Sequence, residues 1–454
     1  MRPHSQTRTR AARRRGPPKD PRSEAPAGFL NAWANLVPNW TPHLPRRRGR
    51  KPRVPVDQLL QALTFHVTQG AGTLAEHFFE LYQEPLANSS WSDRRIRLPW
   101  EIFADLMGRA LRPMATRRHR EAFWRGWRLI ALDGTQYSVT NTPQITATTT
   151  KARSRRGRAA FAKIGVAVLL ELAVHNPLAA AIARQGESEL ALARRLFAQL
   201  PRRALLIADR LYGVPAVIVE AWAACRRVGS HFVFRMPRNI KARVITKLPD
   251  GSRRVRLNVR EKGRAWRIQS GLEIREIRVR VGRKGFRQHE LRLCTSLSHR
   301  QAPAQELAKL YATRWEHELY FREAKRVLRQ TDVLQSHTVE TGAQEIAAII
   351  VATALLARER ARAANGQVPV LRVKFGVVLA IVRSLWFFLG PCEDLLTARQ
   401  KHHIVQRGEA LMRRCVTAKR RSRTNPRAVR QPVRKWPRLM ETHSVEGPLA
   451  FKVV

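Results

Sequence analysis

Two strongly apolar segments that each end in an aspartate constrain this chain more than any other feature. "LIALDGT" carries Asp133, and "LLIADRLYG" carries Asp209. Short apolar runs without alternation are typical of strands that are covered on both faces, and such strands occur in sheets that carry helices on both sides. The two segments therefore predict a mixed α/β fold.

The segments around these strands predict the rest of a catalytic core. "WRLIALDGTQYSVTN" indicates a strand, a turn and a second strand, and "FAKIGVAVLLELAVHNP" indicates a third. "GESELALARRLFAQL" has the spacing of an amphipathic helix, with Glu187 and Glu189 near its start. "VPAVIVEAWAACRRVG" predicts a further helix and "SHFVFRMP" a further strand. Alternation of period two around Gly turns then predicts an antiparallel β insertion.

These patterns divide the 454 residues into seven segments. We expect a basic, mostly disordered arm (1–53), a helical N-terminal domain (54–124), the first part of the core (125–238), the β insertion (239–297), a helix that carries Glu318 and completes the core (298–335), C-terminal helices (336–412) and a basic tail (413–454). The helical domain fits a DNA-binding helix-turn-helix or a packing module equally well. The tail fits a DNA-contacting or a disordered arm.

The charge balance indicates a polyanionic partner. The chain has 85 Lys and Arg against 34 Asp and Glu, a net charge of +51, and nucleic acid is the ordinary partner of such an excess. A membrane surface is the competing polyanion, but the longest uncharged apolar run, Ile346–Ala357, is too short to span a bilayer. We therefore expect no membrane partner. The four cysteines lie far apart, which fits the reducing cytoplasm.

A basic run near the N-terminus is a candidate for minor-groove contact. "RRRGRKPR" resembles an AT-hook, and a solvated charge run explains it equally well. Its candidate DNA-binding residues are Arg46, Arg47, Arg48 and Arg50.

The carboxylates suggest metal-dependent chemistry. If the strands that end in Asp133 and Asp209 are neighbours, two like charges converge and require a proton or a cation. Oxygen ligands favour Mg²⁺ or Mn²⁺, and Glu318 is a candidate third ligand from a helix. Three acids can hold two ions about 3.5–4 Å apart, which activate the attacking and leaving oxygens of a phosphodiester. The sequence contains no GxxxxGK[ST] loop and no Cys/His ligand cluster.

The stretch "YATRWEHELYFREAK" places mixed charge on one helical face. Tyr311, Arg314, Glu318 and Lys325 stay within about one quadrant of an α-helix. A solvated face with ion pairs explains this pattern, and so does a site that handles phosphate and metal together. Each motif alone is weak, because Asp-Gly is most often a turn and Asp-Arg is often a helix cap.

Taken together, the motifs resemble those of bacterial DDE transposases of the YREK-signature insertion-sequence family. The tyrosine, arginine, glutamate and lysine are in register with that signature, and "LDGT", "ADRLYG" and "GESELALARRL" are similar to its other motifs. The resemblance covers about residues 55–438 and implies an RNase H-like core that is interrupted by the β insertion. It also implies that Asp133, Asp209 and Glu318 are catalytic and bind two Mg²⁺ or Mn²⁺ ions.

The resemblance further implies which residues bind DNA and what the protein does. Tyr311, Arg314 and Lys325 would hold phosphates of the transposon end, with Arg210 and Arg322 as further contacts and Trp266 as a candidate for stacking on a flipped base. The expected activity is cleavage at terminal inverted repeats and strand transfer into target DNA, by a homodimer on double-stranded DNA in the bacterial nucleoid. The alternatives are a domesticated, non-catalytic DNA-binding relic and another RNase H-like nuclease, such as a junction resolvase.

Overall fold

A computed structural model describes residues 28–42, 53–149, 153–154, 157–260, 268–282, 289–418 and 450–453. The helices are α1 (Phe29–Leu36), α2 (Val56–His66), α3 (Leu74–Tyr82), α4 (Asn88–Arg97), α5 (Trp100–Ala110), α6 (Pro143–Thr148), α7 (Glu189–Phe197), α8 (Pro215–Arg227), α9 (Ala304–Tyr311), α10 (Trp315–Arg322), α11 (Val339–Ala364), α12 (Phe375–Phe388) and α13 (Ala398–Arg414). The strands are β1 (Phe123–Trp124), β2 (Trp127–Val139), β3 (Arg153–Ser154), β4 (Gly157–Arg158), β5 (Ala162–Glu171), β6 (Asn176–Ile182), β7 (Ala204–Ala208), β8 (His231–Arg235), β9 (Ala242–Lys247), β10 (Arg253–Arg260), β11 (Ile268–Gly282), β12 (His289–Thr295) and β13 (Ala450–Val453).

Within the described residues, eleven strands form one mixed sheet. Its order is β6-β5-β2-β7-β8-β12-β11-β10-β9, with β1 paired to β2 and β13 paired to β11. The pairs β2–β7 and β7–β8 are parallel, and the other pairs are antiparallel. This arrangement confirms the mixed α/β class.

The centre of the sheet is covered on both faces, as the apolar strands predict. Ile130 and Leu132 of β2 pack in one apolar cluster with residues of α7 and α8. Leu129 and Ala131, which alternate with them, pack in a second cluster with residues of α11. All four side chains are buried. The sheet is therefore a rigid platform for whatever projects from the ends of its central strands.

Helix α11 is the main element on the second face. Its length and composition would allow it to cross a membrane, but 94% of its most apolar window is buried against other parts of the protein. A helix that is apolar all round and enclosed in this way is typical of a protein core.

Two strand predictions differ from the structure. "WRLIALDGTQYSVTN" contains one continuous strand and not a strand-turn-strand, because Asp133 and Gly134 pair directly with Val168 and Ala167 of β5. "FAKIGVAVLLELAVHNP" contains β5, as predicted, and also the turn and the start of β6, which the sequence analysis did not predict. The chain reverses between β5 and β6, where His175 adopts a left-handed conformation with φ of 50°.

The predicted arm, β insertion and tail also differ from the structure. Part of the arm 1–53, predicted as mostly disordered, forms α1, whose Phe29 and Trp33 are buried in the core because they pack on Trp386, Phe65 and Trp40. The β insertion does not stand apart, because β12 pairs with β8 and extends the central sheet. The end of the tail 413–454 forms β13, which lies along β11.

A buried ion pair fixes the helical region to the sheet. The Glu171 carboxylate at the end of β5 is fully buried and pairs with Arg128 of β2. It also accepts hydrogen bonds from the backbone amide of Met114 at 2.8 Å and from the Asn176 side chain at 2.7 Å. The segment that follows α5 is therefore anchored to β2 and β5, the strands next to the candidate site.

Candidate active site

Asp133 and Asp209 lie side by side at one edge of the central sheet. The last register pair between the parallel strands β2 and β7 is Leu132 with Ala208, and each aspartate is the next residue in its chain. Asp133 does not end its strand as predicted, since β2 continues along β5 to Val139. Asp209 does follow the last residue of β7, and its Oδ1 accepts a hydrogen bond from the Leu211 amide at 2.6 Å.

Glu318 reaches the same edge from α10, and an arginine connects it to Asp133. Nη2 of Arg314 lies 2.5 Å from Oε1 of Glu318, and Nη1 lies 3.3 Å from Oδ2 of Asp133. All three side chains are mostly buried, with exposed fractions of 19% for Arg314, 16% for Asp133 and 23% for Glu318. Three segments that are distant in sequence therefore meet at one point.

The positive charge at this point belongs to Arg314. In the part of the chain that the structure describes, no three Asp, Glu, His or Cys side chains form a group that could hold a metal ion. The arrangement thus differs from the expected trio of carboxylates around shared ions, because a guanidinium lies between two of them. Arg314 was predicted to contact DNA, and here it makes ion pairs within the protein.

The segment from Tyr311 to Lys325 is not a uniform α-helix. Residues 312–314 form a 3₁₀ turn between α9 and α10, and Glu323–Leu328 form a π-helical turn. Such π turns within helices are frequent at functional sites. The hydroxyl of Tyr311 is buried and donates to the Ala208 carbonyl oxygen at 3.2 Å, so Tyr311 holds the end of β7 and does not present a surface to DNA as predicted.

Lys325 is attached to the strand that carries Asp133. Its Nζ donates to Thr135 Oγ1 and to the Gln136 carbonyl oxygen, both at 2.6 Å, and it lies over the ring of Tyr137 at 4.8 Å. Burial lowers the pKa of Lys325 to about 8, and nearby cationic side chains add to this. A half-buried ammonium with a lowered pKa is a candidate contact for an entering anion.

Burial and crowding of acids raise the pKa of Asp133. Desolvation is the largest cause, and the negative charges of Asp209 and Glu189 add to it. Arg314 and the Gly134 amide act in the opposite direction, and the pKa rises to about 7. A carboxyl that is poorly stabilised as an anion in the folded protein is one that a divalent cation would stabilise strongly.

The structure adds two residues that the sequence analysis did not assign to the site, Glu189 and Tyr212. Glu189, the first residue of α7, accepts a hydrogen bond from the Tyr212 hydroxyl at 2.6 Å. Glu187, two residues earlier, accepts instead from the backbone amides of Arg184 and Gln185. The helix pattern of the sequence placed both Glu187 and Glu189 near the start of the helix, and no local sequence signal indicates which of the two reaches the site.

Other predicted DNA-binding residues are dispersed or undescribed. Arg210 is exposed and lines a cavity of about 690 Å³ next to Asp209, together with Arg235 and Arg238. Arg322 is also exposed. The remaining candidates, Trp266, Arg46, Arg47, Arg48 and Arg50, lie outside the described residues.

Comparison with known proteins shows the family of this chain. The family model described as "Transposase DDE domain" matches residues 124–356, just over half of the chain, and this span includes Asp133, Asp209 and Glu318. The chain belongs to the DDE transposase family. Family membership implies a dependence on divalent metal in general.

A curated sequence relative and a solved structure are similar to this DDE transposase chain. It is 27% identical to "Transposase InsG for insertion sequence element IS4" of Escherichia coli (strain K12) over 231 residues, which are 50% of this chain and 51% of that protein. The chain thus spans about half the length of this relative. A cryo-EM structure of the piggyBac transposase synaptic complex with hairpin DNA has a TM-score of 0.44 to this chain at 8% identity, with 85% of each chain covered.

Proposed function

We propose that the protein is a transposase of the YREK-signature branch that cuts DNA at the terminal inverted repeats of an insertion sequence and joins the ends to target DNA. One observation carries this proposal. Arg314 links Asp133 of β2 to Glu318 of α10, beside Asp209, so that acids from three distant segments meet where the parallel pairing of β2 and β7 ends. The three strands β2, β5 and β6, the helix α7 and the parallel strand β7 follow the order of an RNase H-like core, which we propose as the finer fold.

The donor set fits a divalent metal ion. Carboxylate oxygens are the ligands that Mg²⁺ and Mn²⁺ prefer. Burial, together with the charges of Asp209 and Glu189, raises the pKa of Asp133, and a bound cation would stabilise its anionic form. We propose that Asp133, Asp209 and Glu318 hold two Mg²⁺ or Mn²⁺ ions. Bound there, the ions would activate the attacking oxygen and stabilise the leaving oxygen of a phosphodiester.

The protein's own residues orient the DNA and balance charge. Arg314 neutralises Asp133 and Glu318 in the metal-free protein and would turn to a DNA phosphate when metal replaces it, since a guanidinium can bind phosphate through two parallel bonds. Lys325 is held next to the same strand by Thr135 and Gln136 and would supply a point charge to the backbone. Arg210 and Arg322, which are exposed, would extend this contact along the duplex.

The net charge of +51 supports double-stranded DNA as the partner, both as transposon end and as target. We propose that the chain acts as a homodimer on DNA and works in the bacterial cytoplasm at the nucleoid. The order of steps requires two ends to be cut and joined together, for which two copies of one active site are sufficient.

Cleavage of a duplex that carries one end of the element tests the proposal. Asp133→Ala, Asp209→Ala and Glu318→Ala should each abolish Mg²⁺-dependent nicking and leave most end binding intact. Asp332→Ala is the matched control, because this aspartate is 77% exposed and pairs only with Arg326 among the contacts described. Full cleavage by the Asp133 variant, or equal loss in the Asp332 control, would contradict the assignment.

A further inference from the structure

A fourth carboxylate, that of Glu189, lies where the parallel pairing of β2 and β7 ends. Its Oε1 accepts from the hydroxyl of Tyr212 at 2.6 Å. Tyr212 is fully buried and is located three residues after Asp209 in the same loop. The loop that carries Asp209 therefore also fixes the direction of Glu189.

Gly134 has no side chain and so leaves room for the Glu189 carboxylate next to Asp133. A Cβ on Gly134 would lie 2.2 Å from Cδ and 2.6 Å from Oε2 of Glu189, far inside contact distance. Gly134 is part of β2 and has no positive φ, so its lack of a side chain is not required by a turn. The glycine is explained by the Glu189 carboxylate, which packs directly over the residue after Asp133.

On this side of the site the acids lack direct ion pairs, although Arg210, Arg235 and Arg238 line the cavity next to Asp209. The guanidinium of Arg314 is paired with Asp133 and Glu318. In the described ranges, neither Asp209 nor Glu189 forms an ion pair with a Lys, Arg or His side chain. Two half-buried carboxylates near a third, without a cationic partner, are unfavourable unless a cation binds them.

The neighbouring acid shows what a purely structural glutamate looks like in this loop. Glu187 accepts from the amides of Arg184 at 2.8 Å and Gln185 at 2.7 Å and pairs with Arg195. The Glu187 carboxylate is therefore stabilised by hydrogen bonds and an ion pair within the protein. Glu189 accepts hydrogen bonds from the uncharged phenol of Tyr212 and from the Gly134 backbone amide, and a glutamine would accept both equally well.

We propose that Glu189 is a fourth carboxylate of the active site, oriented by Tyr212 and Gly134 toward the divalent ion that Asp133 and Asp209 bind. This inference rests on the proposed function. It assigns Glu189 to the Asp209 side of the site, where it would increase the affinity for the ion directly or through a bound water. Arg314 then neutralises the carboxylate charge on the Glu318 side of the site until DNA binds.

Binding of Mn²⁺ to the full-length protein without DNA tests this role. Free Mn²⁺ is measured by electron paramagnetic resonance for the wild type, Glu189→Gln, Asp133→Asn and Glu220→Gln. Glu220 is the matched control, because its carboxylate is exposed and pairs with Arg194. We expect Glu189→Gln to weaken Mn²⁺ binding by about tenfold, and Glu220→Gln to leave it unchanged.

Thermal unfolding in EDTA separates this role from a structural one. Glutamine keeps an acceptor for Tyr212 and removes a like charge, so we expect the melting temperature of metal-free Glu189→Gln to equal or exceed that of the wild type. A lower melting temperature combined with unchanged Mn²⁺ affinity would overturn the proposal. If Glu189→Gln does not fold, Tyr212→Phe is measured in its place. The Mn²⁺ affinity of Tyr212→Phe should fall severalfold, because the hydroxyl that orients Glu189 is gone. An unchanged Mn²⁺ affinity of this variant would overturn the proposal.

The controls distinguish this inference from the proposed function. If Asp133→Asn loses Mn²⁺ binding while Glu189→Gln binds as the wild type does, Glu189 is not part of the site but the metal site stands. If Asp133→Asn binds Mn²⁺ as well as the wild type, the proposed metal site itself is wrong, and the role of Glu189 is lost with it.

Discussion

Replacing Asp133 with asparagine should stabilise the metal-free protein at neutral pH, although it should abolish DNA cleavage. Burial and the charges of Asp209 and Glu189 raise the pKa of Asp133 from 3.8 to about 7 in the folded state. Above about pH 5 the unfolded carboxyl has lost its proton, whereas the folded carboxyl keeps it until about pH 7. The folded state therefore binds more protons in this window, and its stability falls as the pH rises.

The magnitude follows from the size of the pKa difference. Each pH unit between about 5 and 7 reduces the free energy of unfolding by about 1.4 kcal/mol, so that the wild type loses roughly 3 kcal/mol between pH 5 and pH 8 through this one group. Asparagine does not titrate and removes this loss. The stability of Asp133→Asn relative to the wild type should therefore increase by a similar amount across the same range.

Thermal unfolding of both proteins in EDTA at several pH values between 5 and 8 measures the difference. Asp332→Asn is the control, since its side chain is 77% exposed and should show no such trend. With Mg²⁺ present the order should reverse, because the wild type gains stability from metal that the variant binds poorly. A constant difference between wild type and Asp133→Asn across the pH range would refute the crowding of acids at this site.

Three further predictions concern the surroundings of the site. Lys325→Ala should reduce the slope of log affinity for end DNA against log salt concentration by about one, and Lys309→Ala, which changes an exposed lysine, is the control. The DNA affinity of the wild type should also fall between pH 7 and pH 9 more than that of Lys325→Arg, because the lysine loses its charge near pH 8. Gly134→Ala should reduce stability by about 1–3 kcal/mol and weaken Mn²⁺ binding, whereas Gly165→Ala on the adjacent strand, where a Cβ meets its nearest neighbour at 3.7 Å, should be tolerated. Glu171→Gln should reduce the free energy of unfolding in denaturant titrations by about 3 kcal/mol, because it leaves Arg128 without its buried carboxylate partner. The control Glu306→Gln breaks an exposed ion pair and should change the free energy of unfolding by less than about 1 kcal/mol.

The apolar pattern of the sequence was sufficient to place Asp133 and Asp209 on two buried strands, but not to show that these strands are neighbours. Runs such as "LLIA" have few alternatives to a doubly covered strand, and the parallel pairing of β2 with β7 then brings Asp133 next to Asp209. The spacing from Arg314 to Glu318 fixed their ion pair, because residues four apart on a helix are neighbours.

Features that depend on contacts between distant segments could not be predicted in the same way. Asp-Gly is a strong local signal for a turn, and only the packing of Glu189 over Gly134 shows why this glycine lies within a strand. Tyr311 was predicted to hold DNA phosphates, and its spacing on the helix did not show that its hydroxyl donates to the Ala208 carbonyl oxygen at the end of β7. Residues that act through such contacts have no local signature.

A crystal structure of the protein soaked with Mn²⁺, with anomalous diffraction to locate the ion, would show whether the three acids bind metal together. We expect an anomalous peak in contact with carboxylate oxygens of Asp133 and Asp209, with Glu318 on its other side and Arg314 displaced from its present position between Asp133 and Glu318. A structure in which Mn²⁺ binds elsewhere, while Arg314 keeps both of its ion pairs, would contradict it.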